Sequence, residues 1–326
     1  MKQKFSLKGL WQVLKDSFKG FGEDKVTKLS GSLAYYTVFS MAPLLIMIIF
    51  LAGLFLGREA VEGKIYGQLT GFVGHDTAVQ LQDMIKNASL SGKSTIAAII
   101  GAISLLVGAT TVFAEIQDSI NSIWGIKAKP KKGWLKVIKT RLLSFSLIAT
   151  LGFLLLVSLG ISALVEGLNN SLQAHFPEVT VVVFYILNII ITLFITTIIF
   201  GVVFKVLPDA TIRWKDIWIG AVATALLFML GKFAISFYIS KSNVGSTYGA
   251  AGSLVILLLW VYYSSIILYF GAEFTNAYAL KFGEEIHPND YAVTTKTVEV
   301  ENGKKSVQQN EAEEDKDKEK MEKKKT

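Results

Sequence analysis

Six long apolar windows constrain this chain more than any other feature, because each can cross the hydrocarbon core of a bilayer, roughly 30 Å thick. Only 18% of the residues are charged, against about a quarter in a typical soluble domain. The charged residues lie almost entirely between the windows, which cover 29–57, 94–114, 142–165, 179–204, 217–240 and 242–272. The sequence therefore predicts a polytopic membrane protein.

The windows predict helices rather than strands of a membrane barrel. Barrel strands alternate apolar and polar residues over about ten positions, whereas these windows are apolar on all sides. A helix also satisfies its own backbone hydrogen bonds in lipid. We therefore expect an all-α fold with six transmembrane helices and amphipathic interfacial helices. The last window exceeds one span, so its polar start, "SNVGSTYGAAG", is predicted to form an outer turn, with the helix beginning at about Gly249.

Lysine and arginine are concentrated in alternate connections, which sets the expected orientation. Seven precede the first window, seven lie within 115–141 and ten follow Ala272, whereas 166–178 holds none. Both termini are therefore expected in the cytoplasm. The first 28 residues contain no apolar h-region, so the first span is expected to serve as the insertion signal.

Three regions follow: an amphipathic cytoplasmic segment at 1–28, a transmembrane domain at 29–281 and a charged, disordered cytoplasmic tail at 282–326. Apolar residues recur at helical spacing in the first region, which predicts a helix in the headgroup layer. Its lysines either attract anionic lipid or act as a plain positive-inside anchor. A second amphipathic stretch, 65–90, is expected outside. The apolar residues of the first helix are Leu7, Leu10, Trp11, Leu14 and Phe18.

Four segments carry a resemblance to a known family. "KLSGSLAYYTVFSMAPLL", "VFAEIQDSINSIWGIKAKP", "LPDATIRWKDIWIGAVATALLFMLGKF" and "YGAAGSLVILLLWVYYSSIILYFGAEFTNAYA" resemble the YihY/BrkB-type bacterial membrane proteins, in order from about Val13 to Lys281. The resemblance implies a six-helix protein of the bacterial cytoplasmic (inner) membrane with both termini inside. That family was once labelled ribonuclease BN, a label now regarded as mistaken. It has been linked to serum resistance, cation/proton exchange and envelope lipid export.

A nuclease or other enzyme is disfavoured by the residues themselves. Metal-dependent cleavage needs clustered Asp, Glu or His, yet the three histidines are far apart in sequence, and the chain has no cysteine. Glu115 and Asp118, three residues apart, could hold a cation, but a salt bridge to Arg141 explains this cytoplasmic-face cluster as well. The lysine-rich loop near them is ordinary for a positive-inside connection. We therefore expect no enzymatic activity, no metal, no cofactor and no nucleic-acid partner.

Several polar residues within the spans are candidates for a transport site. Pro43 removes a backbone donor from the first span, and broken helices near the midplane are where transporters often build sites. Ordinary helix packing by small and hydroxyl residues is the alternative for each position, and Glu273 is expected to contact a headgroup or a lysine. The candidates are Tyr35, Tyr36, Pro43, Asn188 and Asn243, with Gly245, Gly249 and Gly252 as gating glycines.

Lys232 is the one charge inside the six windows. By helix rise it lies roughly 24 Å from Asp216 and 13 Å from Lys241, hence in the expected outer half of the membrane. One alternative is that it faces lipid and snorkels to the outer headgroups. The other is that it faces the bundle and contacts an anionic substrate or couples to protons. A partner could come from Glu62, Glu166 or Asn243.

The sequence is most consistent with a transporter-like or flippase-like protein that moves a lipid, an ion or a small solute. A non-transporting envelope scaffold is the alternative, and a ribonuclease is a remote third. Membrane lipids are the expected partners, and homo-oligomer formation is left open. The two main alternatives differ in Lys232, whose charge a transporter needs and a scaffold does not.

Overall fold

The computed structural model describes residues 6–40, 108, 111–129, 177–241 and 252–295. The described chain is mainly helical, as predicted. Three of its helices are long and apolar enough to cross a membrane, over Ile189–Val206, Trp214–Ile235 and Leu254–Phe282. They correspond to the last three predicted windows. The other three windows lie wholly or largely outside the described residues, so the count of six and the orientation stay predictions.

Six helical segments and four short strands make up the described structure. Four helices are α1 (Leu7–Glu23), α4 (Pro177–Val206), α5 (Trp214–Lys241) and α6 (Gly252–Phe282). Residues 26–40 and 111–123 are also helical and are called α2 and α3. The strands are β1 (Ile126–Ala128), β2 (Ala210–Thr211), β3 (His287–Pro288) and β4 (Ala292–Thr294).

Helices α5 and α6 pack antiparallel through reciprocal pairs of glycine and threonine. Gly220 of α5 lies against Thr275 of α6, and Gly271 of α6 lies against Thr224 of α5. Each threonine hydroxyl donates to the carbonyl four residues earlier in its own helix, at 2.7 Å, so neither is left unsatisfied at the contact. Small residues let the helix backbones approach closely, which is the main source of helix association in lipid.

Helices α4 and α5 form a hairpin whose inner faces make the main apolar core. Phe200 of α4 meets Phe228 of α5 edge-on, with ring centroids 5.8 Å apart. Small residues of α5, Ala221 and Ala225, are fully buried in the same cluster as Phe204. The combination of small and aromatic side chains lets the two helices pack closely.

Helix α1 packs lengthwise on α6, and the face that it buries is made of small residues. Ser6 caps its start by accepting from the Gly9 amide at 3.1 Å. Gly9 lies against Phe282 and Gly20 against Glu273, so α1 runs antiparallel along the last three turns of α6. The buried residues are Gly9, Val13 and Ser17. Small residues occupy this face because they permit close approach of the two helices. The larger Leu7, Trp11 and Phe18 are mostly exposed.

The strands tie the chain after α6 back to the loops that follow α3 and α4. β4 pairs antiparallel with β1, and β3 pairs antiparallel with β2. The chain divides into two units, Met1–Thr294 and Thr295–Thr326. The first residues of the predicted tail therefore belong to the folded unit, because their backbone groups pair with β1 and β2. Residues 296–326 lie outside the described residues.

The glycine contacts predict a position-dependent effect of one methyl group. A Cβ at Gly220 would overlap Thr275, so Gly220→Ala is expected to separate α5 and α6 and lower the thermal midpoint in detergent, at a cost of about 1–3 kcal/mol. Gly31 of α2 has nothing within 4 Å, and Gly31→Ala is the matched control. Equal midpoints for both variants would contradict this packing.

Candidate functional site

A buried carboxylate, Asp209, joins three parts of the chain at the end of the bundle where α3, α4 and α6 finish. It lies in the turn between α4 and β2 and is 3% exposed. Its Oδ1 accepts from Gln117 Nε2 at 3.1 Å and from the Tyr291 hydroxyl at 2.8 Å. Its Oδ2 accepts from Asn121 Nδ2 at 2.9 Å. We call these four residues the Asp209 cluster.

The Asp209 cluster is a structural connection rather than a site for a ligand. The Asp209 amide donates to Asn121 Oδ1 at 2.8 Å, and its carbonyl accepts from the Asn289 amide at 3.0 Å. Both carboxylate oxygens and both backbone groups therefore have protein partners, as buried polar groups require. In the part of the chain that the structure describes, no three Asp, Glu or His residues are placed to hold a metal ion.

A second buried carboxyl, Glu273, contacts another carboxyl instead of the predicted headgroup or lysine. Glu273 is 4% exposed, and it hydrogen-bonds with Asp24, which follows α1. Its carboxyl group lies directly against Gly20, where a Cβ would overlap it. The Glu273 Oε1 atom has no hydrogen-bond partner. The expectation of a lysine contact was wrong because close packing of α1 on α6 brings the end of α1 to Glu273.

Asp24 is held at this position by the geometry of the turn between α1 and α2. Its amide donates to the Gly20 carbonyl at 2.8 Å and ends α1. The next residue, Lys25, adopts a left-handed backbone with φ of 53°, which redirects the chain into α2. Burial raises the pKa of the Asp24 carboxyl, the hydrogen bond with Glu273 lowers it, and the charge of Glu23 raises it again.

Lys232 is partly exposed and lies on the side of α5 that carries buried small residues. Residues spaced three or four apart share one face of a helix, and Lys232 follows Ala221, Ala225 and Phe228 in that spacing. The two alanines are fully buried, and Phe228 packs against Phe200 and Trp260. The side of α5 away from Lys232 includes the exposed residues Ile219, Val222, Leu226, Leu230, Phe233 and Phe237.

The surroundings of Lys232 come from α4 and α6. On α6, the Tyr263 side chain lies against Gly231, directly before Lys232 in α5. On α4, Thr197 is buried one turn before Phe200, and its hydroxyl donates to the Leu193 carbonyl at 2.7 Å. Lys232 therefore lies at a level where hydroxyl groups of both neighbouring helices occur, one turn beyond the contact of Phe228 with Phe200.

Of the remaining predicted site residues, only the sequence neighbours Tyr35 and Tyr36 are in contact within the described structure. Their rings meet edge-on with centroids 5.7 Å apart, and both side chains are exposed. Tyr35 also packs against Phe39, with tilted rings and centroids 4.7 Å apart. Gly252 is buried at the start of α6. Asn188 lies in α4, but the structure does not describe its side chain. Pro43, Arg141, Asn243, Gly245 and Gly249 lie outside the described residues.

The predicted pair on α3, Glu115 and Asp118, lies beside the α3 residues of the Asp209 cluster. Asp118 is exposed and Glu115 is partly buried. Between and beside them on the same helix, Gln117 and Asn121 carry the contacts to Asp209 that the sequence analysis missed. Amide side chains at a spacing of four on a helix were the available signal, but their acceptor lies 88 positions away from Asn121 in sequence.

Long apolar helices joined by close glycine contacts and polar clusters at one end define an α-helical membrane protein. The family model described as virulence factor BrkB matches residues 17–293. The chain belongs to this family. The resemblance that the sequence carries is thereby confirmed.

Relatives of similar length are named only as membrane proteins. A UPF0761 membrane protein of Pseudoalteromonas atlantica is 28% identical over 272 residues, covering 82% of this chain and 85% of the relative. One from Haemophilus influenzae is 27% identical, covering 82% and 95%, and one from Tolumonas auensis is 28% identical, covering 77% and 80%. No solved structure matches the chain.

The Asp209 cluster predicts that replacing one carboxylate oxygen of Asp209 by an amide nitrogen will loosen the strands after α6. Asp209→Asn replaces an acceptor oxygen by a donor and breaks at least one buried hydrogen bond to a charged group, at a cost of about 2 kcal/mol. The amides of 292–294 are expected to exchange with solvent roughly thirtyfold faster in hydrogen-exchange mass spectrometry. Thr211→Val, which removes only an exposed hydrogen bond to Asn289, is the control. Unchanged protection in Asp209→Asn would contradict the assignment.

Proposed function

We propose that this protein transports an anionic amphipathic molecule, such as a phospholipid, across the bacterial cytoplasmic membrane, with Lys232 as its cationic contact. The observation that carries the proposal is the register of Lys232 on the bundle-facing side of α5. Both termini are proposed to lie in the cytoplasm. The proposed activity is movement of a molecule and not a chemical reaction.

The energetics of a lysine within an apolar helix support this role. A lysine at the centre of a membrane helix costs about 2.5–3.5 kcal/mol on insertion scales, and the cost falls when the side chain reaches the interface. Snorkelling is available to a lysine on the lipid-facing side. Lys232 follows Ala221, Ala225 and Phe228 instead, so its stem starts on the side away from the exposed face. A charge retained there is suited to binding an anionic group.

The surroundings of Lys232 support an amphipathic substrate. The side chains nearest along the same face are aromatic, since Phe228 contacts Phe200 and Trp260 with ring centroids 5.8 and 6.2 Å apart. The Tyr263 side chain lies beside the preceding residue, Gly231. A cation next to aromatic and hydroxyl groups can hold a phosphate while apolar chains remain among apolar side chains.

A non-transporting scaffold is the second candidate, and one observation favours it. The exposed residues Leu7, Trp11 and Phe18 form an apolar face on α1, which could contact a partner in the membrane. In a scaffold, the charge of Lys232 would affect stability alone. The test of the transport proposal therefore measures activity and folding separately.

The expected outcome is loss of lipid movement when the charge is removed. Purified protein is reconstituted in proteoliposomes containing a fluorescent anionic phospholipid, and an external quencher reports exchange between leaflets. Wild type is expected to accelerate exchange, and Lys232→Met to reduce it about tenfold or more, equivalent to at least 1.4 kcal/mol of lost binding to the transition state. Lys232→Arg, which keeps the charge, is expected to retain part of the activity.

Lys241→Met is the matched control, because Lys241 is an exposed lysine at the end of the same helix. It is expected to behave as wild type. Thermal midpoints and gel-filtration profiles establish that the variants are folded. If wild type does not exceed empty liposomes, lipid movement is rejected. If Lys232→Met is folded and fully active, Lys232 has no part in transport.

A further inference from the structure

We propose that the Asp24 and Glu273 carboxyls form a proton-binding site, and that the proton they share holds α1 against α6. The site is separate from Lys232. Tyr263 marks the level of Lys232 on α6, and Glu273 lies ten residues, or roughly 15 Å, farther along the same helix. The proposal does not depend on the transport of lipid. It concerns the attachment of the first helix to the last.

The geometry favours a proton because the carboxyl of buried Glu273 lies beside that of half-buried Asp24. A carboxylate can only accept hydrogen bonds, whereas a protonated carboxyl can donate one. The hydrogen bond between Asp24 and Glu273 therefore needs one of them to carry a proton. When both are ionised, two like charges lie together with little water, a state that is strongly disfavoured.

Two observations distinguish this pair from an ordinary acidic cluster. First, Glu273 is 4% exposed, and its Oε1 has no hydrogen-bond partner, so the protein leaves a buried acceptor available. Second, the absence of a side chain at Gly20 makes the space for the Glu273 carboxyl. A glycine there lets α1 approach until the carboxyl of α6 is enclosed and can meet Asp24.

The charged groups around the pair are mainly negative. Glu23, next to Asp24, acts on both carboxyls, and it is itself paired with Lys19 at 3.5 Å on the exposed side of α1. Lys25, after Asp24, is exposed. On α3, the charge of Glu115 acts on Tyr269, which lies one turn before Glu273 on α6. From α5, Asp216 reaches the region of Tyr278, farther along α6. Of these groups, Glu23 acts directly on both carboxyls, and its negative charge favours the protonated pair.

Titration of the pair is coupled to the docking of α1. Three contacts of α1 with α6 lead up to the pair. Gly9 lies against Phe282, and Val13 packs among Phe274 and Tyr278. The ring centroids of Phe18 and Phe270 are 4.9 Å apart. The contact surface ends at the carboxyl pair. Loss of the shared proton places repulsion at that end, so α1 is expected to come away from α6.

The sign of the pH dependence follows from the raised pKa of Asp24. A carboxyl with a raised pKa in the docked state holds its proton more tightly there than when α1 is released. Docking is therefore strongest at low pH. It weakens as the pH rises from the ordinary pKa of an aspartate, 3.8, toward the raised value. Release of α1 at high pH is thus the expected direction.

The test measures the distance between α1 and α6 as a function of pH. The chain has no cysteine, so spin labels can be placed at Gln12→Cys and Leu280→Cys, two exposed positions. Distances are recorded by pulsed electron paramagnetic resonance in nanodiscs between about pH 4 and pH 10, a range that begins near the ordinary pKa of an aspartate and extends through the raised values of buried carboxyls. In the doubly labelled chain with no other change, we expect the fraction of molecules with a short distance between the labels to fall by roughly half or more as the pH rises.

Two variants make the outcome specific. Glu273→Gln cannot ionise and can donate to Asp24, so α1 is expected to stay docked at every pH. Asp24→Asn should likewise remove the pH dependence, and it serves if Glu273→Gln does not fold. Glu23→Gln, an exposed carboxyl one position from Asp24, is the control and should keep the transition. A distance that does not change with pH in the parent chain overturns the proposal, as does a transition that persists in both Glu273→Gln and Asp24→Asn.

Discussion

The close contact of α5 with α6 is the interaction on which the rest of the described structure depends. Gly220 and Gly271 each lie against a threonine of the opposite helix, and the antiparallel register follows from those two pairs. Because α4 packs on α5 and α1 packs on α6, the positions of both outer helices are set by this central pair. Lipid supplies little driving force for association of apolar surfaces, so contacts that only glycine permits determine which helices meet and at what level.

Much of the fold could be predicted from the sequence, because the membrane leaves few alternatives for an apolar run of twenty residues or more. The windows 179–204 and 217–240 are helices whose limits differ from the prediction by at most three residues, whereas the last helix continues to Phe282, beyond the predicted end at Ala272. The amphipathic stretch before the first window is helical. The packed face of α1 could not be predicted in this way. Hydrophobic periodicity selects large side chains such as Trp11 and Phe18, whereas the helix uses Gly9, Val13 and Ser17 for close approach. The short strands were missed because two or three residues carry almost no periodic signal.

The polar positions were predictable only where a charge interrupts an apolar run. Lys232 was found for that reason, and the burial of its neighbours on α5 supports the proposal that it faces the bundle, which the sequence left open. Asp209 and Asp24 lie in connections rich in charged residues, where composition gives no contrast between a buried carboxylate and an exposed one. Their burial depends on partners such as Asn121 and Glu273 that are distant in the chain, and those pairings arise from tertiary packing. Glu273 was noticed, but its partner could not be inferred without the register of α1 on α6.

The described bundle separates contacts that are fixed from contacts that can titrate. The α5–α6 pair is held by backbone proximity and apolar packing, which do not respond to pH or to ligands. Helix α1 reaches the same α6 through small residues and a carboxyl pair. An attachment of this kind changes in strength when a proton is added. Movement in this protein is therefore expected at α1, while α5 and α6 keep Lys232 at a constant level relative to Tyr263.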